Sequence, residues 1–148
     1  MRNTQLLPSI LVLIATTSLG LGLVGTSAGD DPVAEAVHHK DRLESDLVRD
    51  FDRQPTRILD FFDVKRGQVV ADLMAGDGYY TEILSRVVGK DGAVSCQNTK
   101  IPLRVFAEEP LTARLADDHL SNVVRLDTEF EDSGLTLELR EVCLHLLC

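Results

Sequence analysis

Short apolar segments rich in β-branched residues alternate, through the middle of the chain, with stretches of helical periodicity. Residues 68–73, 93–97 and 122–126 have the length and composition of buried parallel strands. Between the first two segments, apolar side chains recur at helical spacing: Tyr80, Ile83, Leu84, Val87 and Val88. This alternation predicts βαβ units, and therefore an α/β fold with a parallel sheet and flanking helices.

Further helices are predicted before the first strand and after the second. Residues 29–41 have the polar composition of a linker, and an amphipathic helix is expected over residues 42–50. A second helix opens at Pro55, a residue that suits the first helical turn. A third is expected over residues 102–118, with a break near Pro110.

The first 28 residues follow the pattern of a secretory signal peptide. Arg2 is their only charged residue, residues 6–24 form an apolar run, and the small residues Thr26, Ser27 and Ala28 follow it. This order predicts export to the periplasm or the exterior, with cleavage after Ala28. The alternative is membrane anchoring by residues 6–24, which are marginally long enough to span a bilayer.

Charge and cysteine content narrow the possible partners. The formal net charge is −9, and removal of the leader with Arg2 makes it more negative, which argues against a nucleic-acid partner. The three cysteines are too few for a disulfide framework, although Cys143 and Cys148 are a candidate pair. Cys143, His145 and Cys148 fall short of the four ligands of a structural zinc site, so no metal is predicted.

A loop with two glycines joins the first predicted strand to the helix after it. The strand ends near Asp72, and the loop residues are Met74, Ala75, Gly76, Asp77 and Gly78. In open α/β sheets, ligands bind at the carboxyl ends of the strands. The glycines allow a ligand to approach the backbone closely, and the first N–H groups of the helix are free to receive an acceptor. The loop is therefore the candidate ligand site.

The charges of this loop discriminate between two nucleotide ligands. A dinucleotide fingerprint has a third small residue where this chain has Thr81, and Asp77 would lie close to a pyrophosphate of the same sign of charge. S-adenosylmethionine has no phosphate and carries a sulfonium and an ammonium group. Asp72 and Asp77 are compatible with those cations, so the sequence favours S-adenosylmethionine over NAD.

The segment from Val69 to Leu84, VVADLMAGDGYYTEIL, resembles the first motif of class I S-adenosylmethionine-dependent methyltransferases. It is most similar to exported bacterial members of that family, in which a glycine loop leads into a helix that begins with Tyr-Thr-Glu. Arg53-Gln54-Pro55 and Gln97-Asn98 add to the resemblance, which covers residues 42–134. It implies an incomplete Rossmann-like sheet, with about three of the usual seven strands.

The resemblance also implies which loop residues contact the cofactor. Asp72 would organise the loop and face the methionine end of S-adenosylmethionine. Gly76 and Gly78 would let the cofactor lie against the backbone, with Ala75 and Asp77 beside it. Met74 departs from the family pattern, because it stands where the general family loop has its first glycine.

Two later positions complete the site that the resemblance implies. Gln97 and Asn98, at the end of the second strand, would contact the ribose hydroxyls, and Asp127, after the third strand, would reach the adenine amino group. Most class I enzymes place a carboxylate where this chain has Gln97 and Asn98, although an amide can also bond a hydroxyl.

The resemblance ends at about residue 134. Residues 135–148 form an atypical tail, whose apolar spacing fits a helix and a strand equally well. We therefore expect a truncated or frame-shifted relative that lacks the fourth strand of the family. The unpaired edge of the first strand would then favour self-association.

The sequence thus predicts a small-molecule-binding protein of the methyltransferase family that retains only the cofactor-binding half. It assigns neither the methyl acceptor nor a catalytic residue, and activity of the chain stays open. The alternatives are a non-catalytic module that binds a nucleoside ligand, a fragment of an NAD-type oxidoreductase, and an inactive gene product without a ligand.

Overall fold

A computed structural model describes residues 31–116 and 118–135, and the backbone of residues 143–145. In this part of the chain, four parallel strands form one sheet: β1 (Val69–Leu73), β2 (Ala93–Asn98), β3 (Val123–Asp127) and β4 (Cys143–His145). Their order is β3-β2-β1-β4. This arrangement confirms the predicted α/β fold, because it is the strand order at the centre of a doubly wound sheet.

β4 corrects the expectation that the outer edge of β1 is unpaired. Ala71 lies opposite Cys143 and Leu73 opposite His145, in parallel register. The tail therefore contributes a short fourth strand where the fold requires one. The spacing of apolar residues in the tail fits a helix and a strand equally well. Pairing with β1 makes residues 143–145 a strand.

Three helices precede the sheet: α1 (Pro32–Val37), α2 (Glu44–Arg53) and α3 (Pro55–Phe61). α1 lies within the segment expected to be a linker, and the structure differs from that expectation. The Asp31 side chain accepts hydrogen bonds from the backbone N–H groups of Val33 and Ala34, at 3.0 and 3.2 Å, and so caps the helix. Val33 is buried in the main core, so α1 is part of the domain.

The main core forms where α4 (Tyr79–Val88) packs against the sheet. Nine of the ten residues of α4 are buried, the exception being Arg86. Ile83, Leu84 and Val87 are fully inaccessible to solvent, and they pack with Val70 of β1 and Val94 of β2. Gly89 ends the helix with φ +68°, a conformation that favours glycine.

The connection from β2 to β3 begins with α5 (Lys100–Pro102), widens into a π-helical stretch over Leu103–Ala107, and continues as α6 (Glu108–Leu115). The predicted break near Pro110 is therefore displaced towards the N-terminus. Pro110 lies in α6, directly after the π-helical stretch. Leu103, Ala107 and Leu111 form a second core cluster with Cys96.

The apolar side chains of both clusters share one face of the sheet. Val70, Val94 and Cys96 alternate with residues that point to the opposite face, where Val69 and Val124 are 39% and 54% exposed. The helices that pack on the sheet in the described residues thus cover the first face, and α4 and α6 bring their N-terminal ends to the carboxyl edge of the strands.

None of the helices among the described residues has both the length and the apolar character needed to cross a membrane. The predicted leader, residues 1–28, lies outside the described residues, as do the side chains of Cys143, His145 and Cys148.

Candidate functional site

α2 contacts the rest of the domain through its charged side. Its only buried residue is Asp46. Val48 and Phe51, on the side that its periodicity predicts to be buried, are 74% and 82% exposed. Arg49 and Arg53 lie on the charged side, which faces the glycine loop and α4. The orientation of α2 is thus the reverse of that expected for an amphipathic helix on an apolar core.

Arg114 of α6 holds this arrangement together. Its Nη1 donates to Asp46 Oδ2 at 2.7 Å and also to Glu82 Oε2 of α4, and its Nε donates to the carbonyl oxygen of Asp77 at 2.8 Å. Burial alone would lower the pKa of Arg114, but the hydrogen bonds that it donates to the carboxylates of Asp46 and Glu82 raise it. One guanidinium group therefore joins α2, α4, α6 and the glycine loop.

The glycine loop turns sharply between β1 and α4. Gly76 and Gly78 have φ values of +60° and +84°, and the Gly78 N–H donates to the carbonyl oxygen of Ala75 at 3.0 Å. Met74 also has a positive φ, of +54°, which an L-residue rarely adopts. The backbone at Met74 thus has the conformation that glycine adopts without strain, although this chain has methionine where the family pattern has glycine.

The amides of Gln97 and Asn98 fasten the loop to the sheet. The Gly76 N–H donates to Asn98 Oδ1 at 2.8 Å, and Asn98 Nδ2 donates to the Gly76 carbonyl oxygen at 3.2 Å. Gln97 Oε1 accepts from the Met74 N–H at 3.3 Å, and its Nε2 donates to the Thr128 carbonyl oxygen at 2.6 Å. Both side chains are buried. Their contact with a ribose stays a prediction.

Asp72 is buried at the carboxyl end of β1. Its Oδ2 accepts a hydrogen bond from Thr81 Oγ1, in the first turn of α4, at 2.6 Å. Burial raises the pKa of the Asp72 carboxyl to about 7, although the bond from Thr81 and the charge of Arg53 act in the opposite direction. The group therefore changes its charge close to neutral pH.

Asp77, between the two glycines, already has a cationic partner. Arg49 Nη1 donates to Asp77 Oδ2 at 2.5 Å and Arg49 Nη2 to Oδ1 at 3.1 Å. Burial favours a higher pKa for Asp77, but the bonds from Arg49 hold it below its usual value. The carboxylate is ionised and paired, so its charge does not discriminate between ligands as strongly as the sequence suggests.

A cavity of about 260 Å³ opens beside this loop. Its lining residues are Arg49, Arg53, Asp72, Met74, Ala75, Gly76, Asp77, Tyr79, Tyr80, Phe106, Ala107 and Pro110. The structure thus brings four of the predicted site residues, Asp72 and Ala75 to Asp77, to one cavity. Gly78, Gln97, Asn98 and Asp127 are not among its lining residues. The volume is slightly below the roughly 300 Å³ of a small drug-sized pocket, so it suits one end of a nucleoside ligand.

Asp127 lies at the carboxyl end of β3, in register with Asn98 of β2. Both of its carboxylate oxygens accept from Arg125 Nε at 2.8 Å, and Arg125 Nη2 donates to Glu108 Oε1 at 2.8 Å. Asp127 is therefore on the predicted edge of the sheet but tied to Arg125. Its contact with an adenine stays a prediction.

Several residues that form the cavity were missed by the sequence reasoning. Arg49 and Arg53 are four residues apart, a spacing that places both guanidinium groups on one face of α2. Tyr79 OH donates to Asp50 Oδ1 at 2.5 Å, and Tyr80 OH donates to the Arg53 carbonyl oxygen at 2.7 Å. The sequence features that could have indicated these residues are the two tyrosines directly after the glycine loop and the two arginines four residues apart before it.

Among the residues that the structure describes, no group of three His, Cys, Asp or Glu side chains is arranged to hold a metal ion. Cys96 is free and buried, and its burial raises the pKa of the thiol to about 12. It lies beneath the π-helical stretch and α6 in the second core cluster, where its role is packing.

No protein-family model and no curated protein matches the chain. Two solved structures are similar to part of it. One is a protein-L-isoaspartate O-methyltransferase, 23% identical with a TM-score of 0.40, whose alignment covers 50% of this chain and 22% of that one. The other is a SAM-dependent methyltransferase from Aquifex aeolicus, 32% identical with a TM-score of 0.40, covering 49% of this chain and 37% of that one. The matched part is well under two thirds of the length of either protein.

Proposed function

We propose that the chain binds S-adenosylmethionine at the glycine loop and is the cofactor-binding half of a methyltransferase. The observation that carries this proposal is the Asp72 carboxyl, which lines a cavity at the carboxyl end of β1 and titrates near neutral pH. A cation such as the ammonium group of S-adenosylmethionine would stabilise the ionised form of this carboxyl. The proposal is supported by the position of the cavity, at the edge where open α/β sheets bind their ligands.

The loop has room for such a ligand. Nothing lies within 4 Å of the position that a Cβ atom would take at Gly76, and Gly76 lines the cavity. A ligand can therefore lie directly against the backbone there. The cofactor supplies an activated methyl group, and transfer depends largely on holding the acceptor in line with it. In this account Asp72 binds the ammonium group and the loop supports the sulfonium end.

Calorimetric titration of the full chain tests the proposal. We expect binding of S-adenosylmethionine and S-adenosylhomocysteine but not of NAD. A methyl group in the G76A variant occupies the open space at the cavity wall and should weaken binding of S-adenosylhomocysteine about 10-fold, which is about 1.4 kcal/mol. Binding of NAD alone would overturn the proposal.

Gly67 provides a matched control for this variant. Its φ is +81°, nothing lies within 4 Å of a Cβ built on it, and it does not line the cavity. The G67A variant therefore has a comparable backbone strain, but we expect it to bind S-adenosylhomocysteine like the unmodified chain. Equal weakening in both variants would mean that strain, and not occupation of the cavity, is responsible.

One observation favours a second candidate, a non-catalytic module that binds a dinucleotide. Because Arg49 pairs with Asp77, the negative charge that argued against a pyrophosphate is balanced within the chain. This candidate predicts that NAD and S-adenosylhomocysteine compete for the loop. Displacement of one by the other in the same titration would support it.

Export remains part of the proposal and rests on residues 1–28 alone. We expect the leader to be removed in a bacterial host that secretes the protein. Mass spectrometry of the periplasmic fraction should find a chain that begins at Gly29, whereas a full-length chain in the membrane fraction would support anchoring by residues 6–24.

A further inference from the structure

Arg53 is the last residue of α2 and lines the cavity beside the glycine loop. Its guanidinium carbon lies 5.2 Å from the centre of the Tyr79 ring, within the range of a cation–π contact. Its carbonyl oxygen accepts the hydrogen bond from Tyr80 OH. The backbone of Arg53 is thus fixed to the start of α4, and its side chain rests on an aromatic wall of the cavity.

Three other arginines near the start of α4 have carboxylate partners. Arg42 pairs with Asp50 at 2.7 Å, Arg49 with Asp77 at 2.5 Å, and Arg114 with Asp46 at 2.7 Å. Within the described residues, Arg53 has no carboxylate at ion-pair distance. Its charge is nevertheless close enough to Asp72 to lower the pKa of that carboxyl, which burial raises.

The cavity therefore offers two groups of opposite charge to one ligand. Asp72 presents a carboxyl group, and Arg53 a guanidinium group whose planar donors match a carboxylate in bidentate geometry. An α-amino acid group, with its ammonium and its carboxylate on one carbon atom, has the complementary pair of charges. A cavity of about 260 Å³ is large enough for such a group.

We propose that Arg53 binds the carboxylate of the α-amino acid end of the ligand, while Asp72 binds its ammonium group. This inference rests on the proposed function, because the ligand that carries the amino acid is taken to be S-adenosylmethionine or its demethylated product. It adds a requirement that the proposed function does not contain: a nucleoside thioether without an amino acid group should not depend on Arg53.

The test compares two ligands against matched variants of the full chain. S-adenosylhomocysteine carries the amino acid group, and 5′-methylthioadenosine has the same nucleoside thioether without it. In calorimetric titrations, we expect R53M to weaken binding of S-adenosylhomocysteine by about 10- to 100-fold, as for the loss of a charged hydrogen bond, and to leave 5′-methylthioadenosine unchanged. R53K keeps the charge but lacks the planar fork, so it should fall between R53M and the unmodified chain.

Arg57 provides the control for the loss of a positive charge. It is exposed on α3, four residues along the chain, and does not line the cavity. The R57M variant should bind both ligands like the unmodified chain. Thermal unfolding of each variant establishes that the protein titrated is folded, and R53K carries the test if R53M does not fold.

Three outcomes would overturn the inference, and they are distinguishable. If R53M and R53K bind S-adenosylhomocysteine normally, Arg53 does not contact the carboxylate, and the proposed function stands. If both ligands weaken equally, Arg53 shapes the cavity and does not recognise the amino acid group. If the unmodified chain binds no S-adenosylhomocysteine, the proposed function fails and this inference fails with it.

Discussion

α4 and α2 are both ten residues long, yet they are attached to the domain in opposite ways. α4 buries nine of its residues, and Ile83, Leu84 and Val87 are inaccessible to solvent. α2 buries only Asp46 and contacts its neighbours through ion pairs. Apolar burial therefore positions the helix behind the glycine loop, whereas charge pairing positions the helix that supplies the arginines of the cavity.

This difference has consequences for how each region responds to change. Burial of apolar surface depends little on salt, while ion pairs at partly exposed positions are screened by it. Ion pairs that are fully buried respond in another way, because removal of one partner leaves an uncompensated charge. Substitutions in the two helices should separate these contributions.

The largest effect is expected from loss of Arg114. R114M leaves the carboxylates of Asp46 and Glu82 buried without this shared cation, and removal of one partner of a buried pair costs about 3–5 kcal/mol. Urea denaturation followed by circular dichroism measures the loss. The exposed Arg104 offers a control, since R104M should change the free energy of unfolding by less than about 0.5 kcal/mol. A loss below about 1 kcal/mol in R114M would show that this network does not hold α2 in place.

The same substitution in both helices compares them directly. L84A removes a side chain with no solvent exposure and should cost about 2–5 kcal/mol. L47A removes a side chain that is 47% exposed on the outer side of α2 and should cost less than about 1 kcal/mol. Equal losses in chemical denaturation would mean that the apolar side of α2 is covered in solution, contrary to the structure.

The pH dependence of stability should reveal the burial of Asp72. Its pKa is about 7 in the folded chain, against an ordinary value of 3.8. Between these values the folded state holds a proton that the unfolded state has released, so the contribution of Asp72 is present below about pH 4 and is lost as the pH rises to about 7. The slope is about 1.4 kcal/mol per pH unit at most.

D72N isolates this dependence from that of the other carboxyl groups. Asparagine keeps the shape and can accept the hydrogen bond of Thr81, but it does not titrate. The free energy of unfolding of D72N, relative to the unmodified chain, should rise from about pH 4 to 7 and level off above. A difference that is independent of pH would contradict the raised pKa of Asp72.

The smallest effect is expected from the pair of Arg49 and Asp77. Both side chains are about 30% exposed, and such pairs contribute up to about 1 kcal/mol, less at high salt. R49M also removes the contact with Asp46, but Asp46 keeps Arg114 as its partner. The variant should therefore reduce stability by about 1 kcal/mol at low salt, and the difference should shrink at 1 M salt. In R49M, the backbone amides of α2 and the glycine loop should exchange faster, while those of α4 exchange at the unchanged rate. A loss of stability that does not change with salt would mean that the pair of Arg49 and Asp77 behaves as a buried ion pair.

The α4 region could be predicted from the sequence because its local features agree with one another. The apolar spacing from Tyr80 to Val88, the short strand that ends at Leu73 and the glycines between them all point to the same βαβ unit. Asp72, Ala75, Gly76 and Asp77 consequently meet at the cavity as the order of the elements requires.

α2 and the end of β2 could not be placed in the same way. Periodicity indicates which residues of a helix share a face, but not that Asp46 and Arg49 would face inward to meet Arg114 on a helix 68 residues after Asp46. Likewise, the family resemblance assigns Gln97 and Asn98 to a ribose, a contact that stays a prediction, but it does not indicate that their amides bond the backbone of the glycine loop. Long-range polar pairing leaves no periodic signal in a sequence.

The most direct test of the account is a calorimetric titration of the full chain with S-adenosylhomocysteine at about pH 6 and 8, beside D72N. If the ionised Asp72 carboxyl binds the ammonium end of the ligand, affinity should rise about tenfold between these pH values, since the pKa of the group is about 7. D72N should bind more weakly and with no such rise. Binding that is equally tight at both pH values and in D72N would contradict the assignment of this cavity to S-adenosylmethionine.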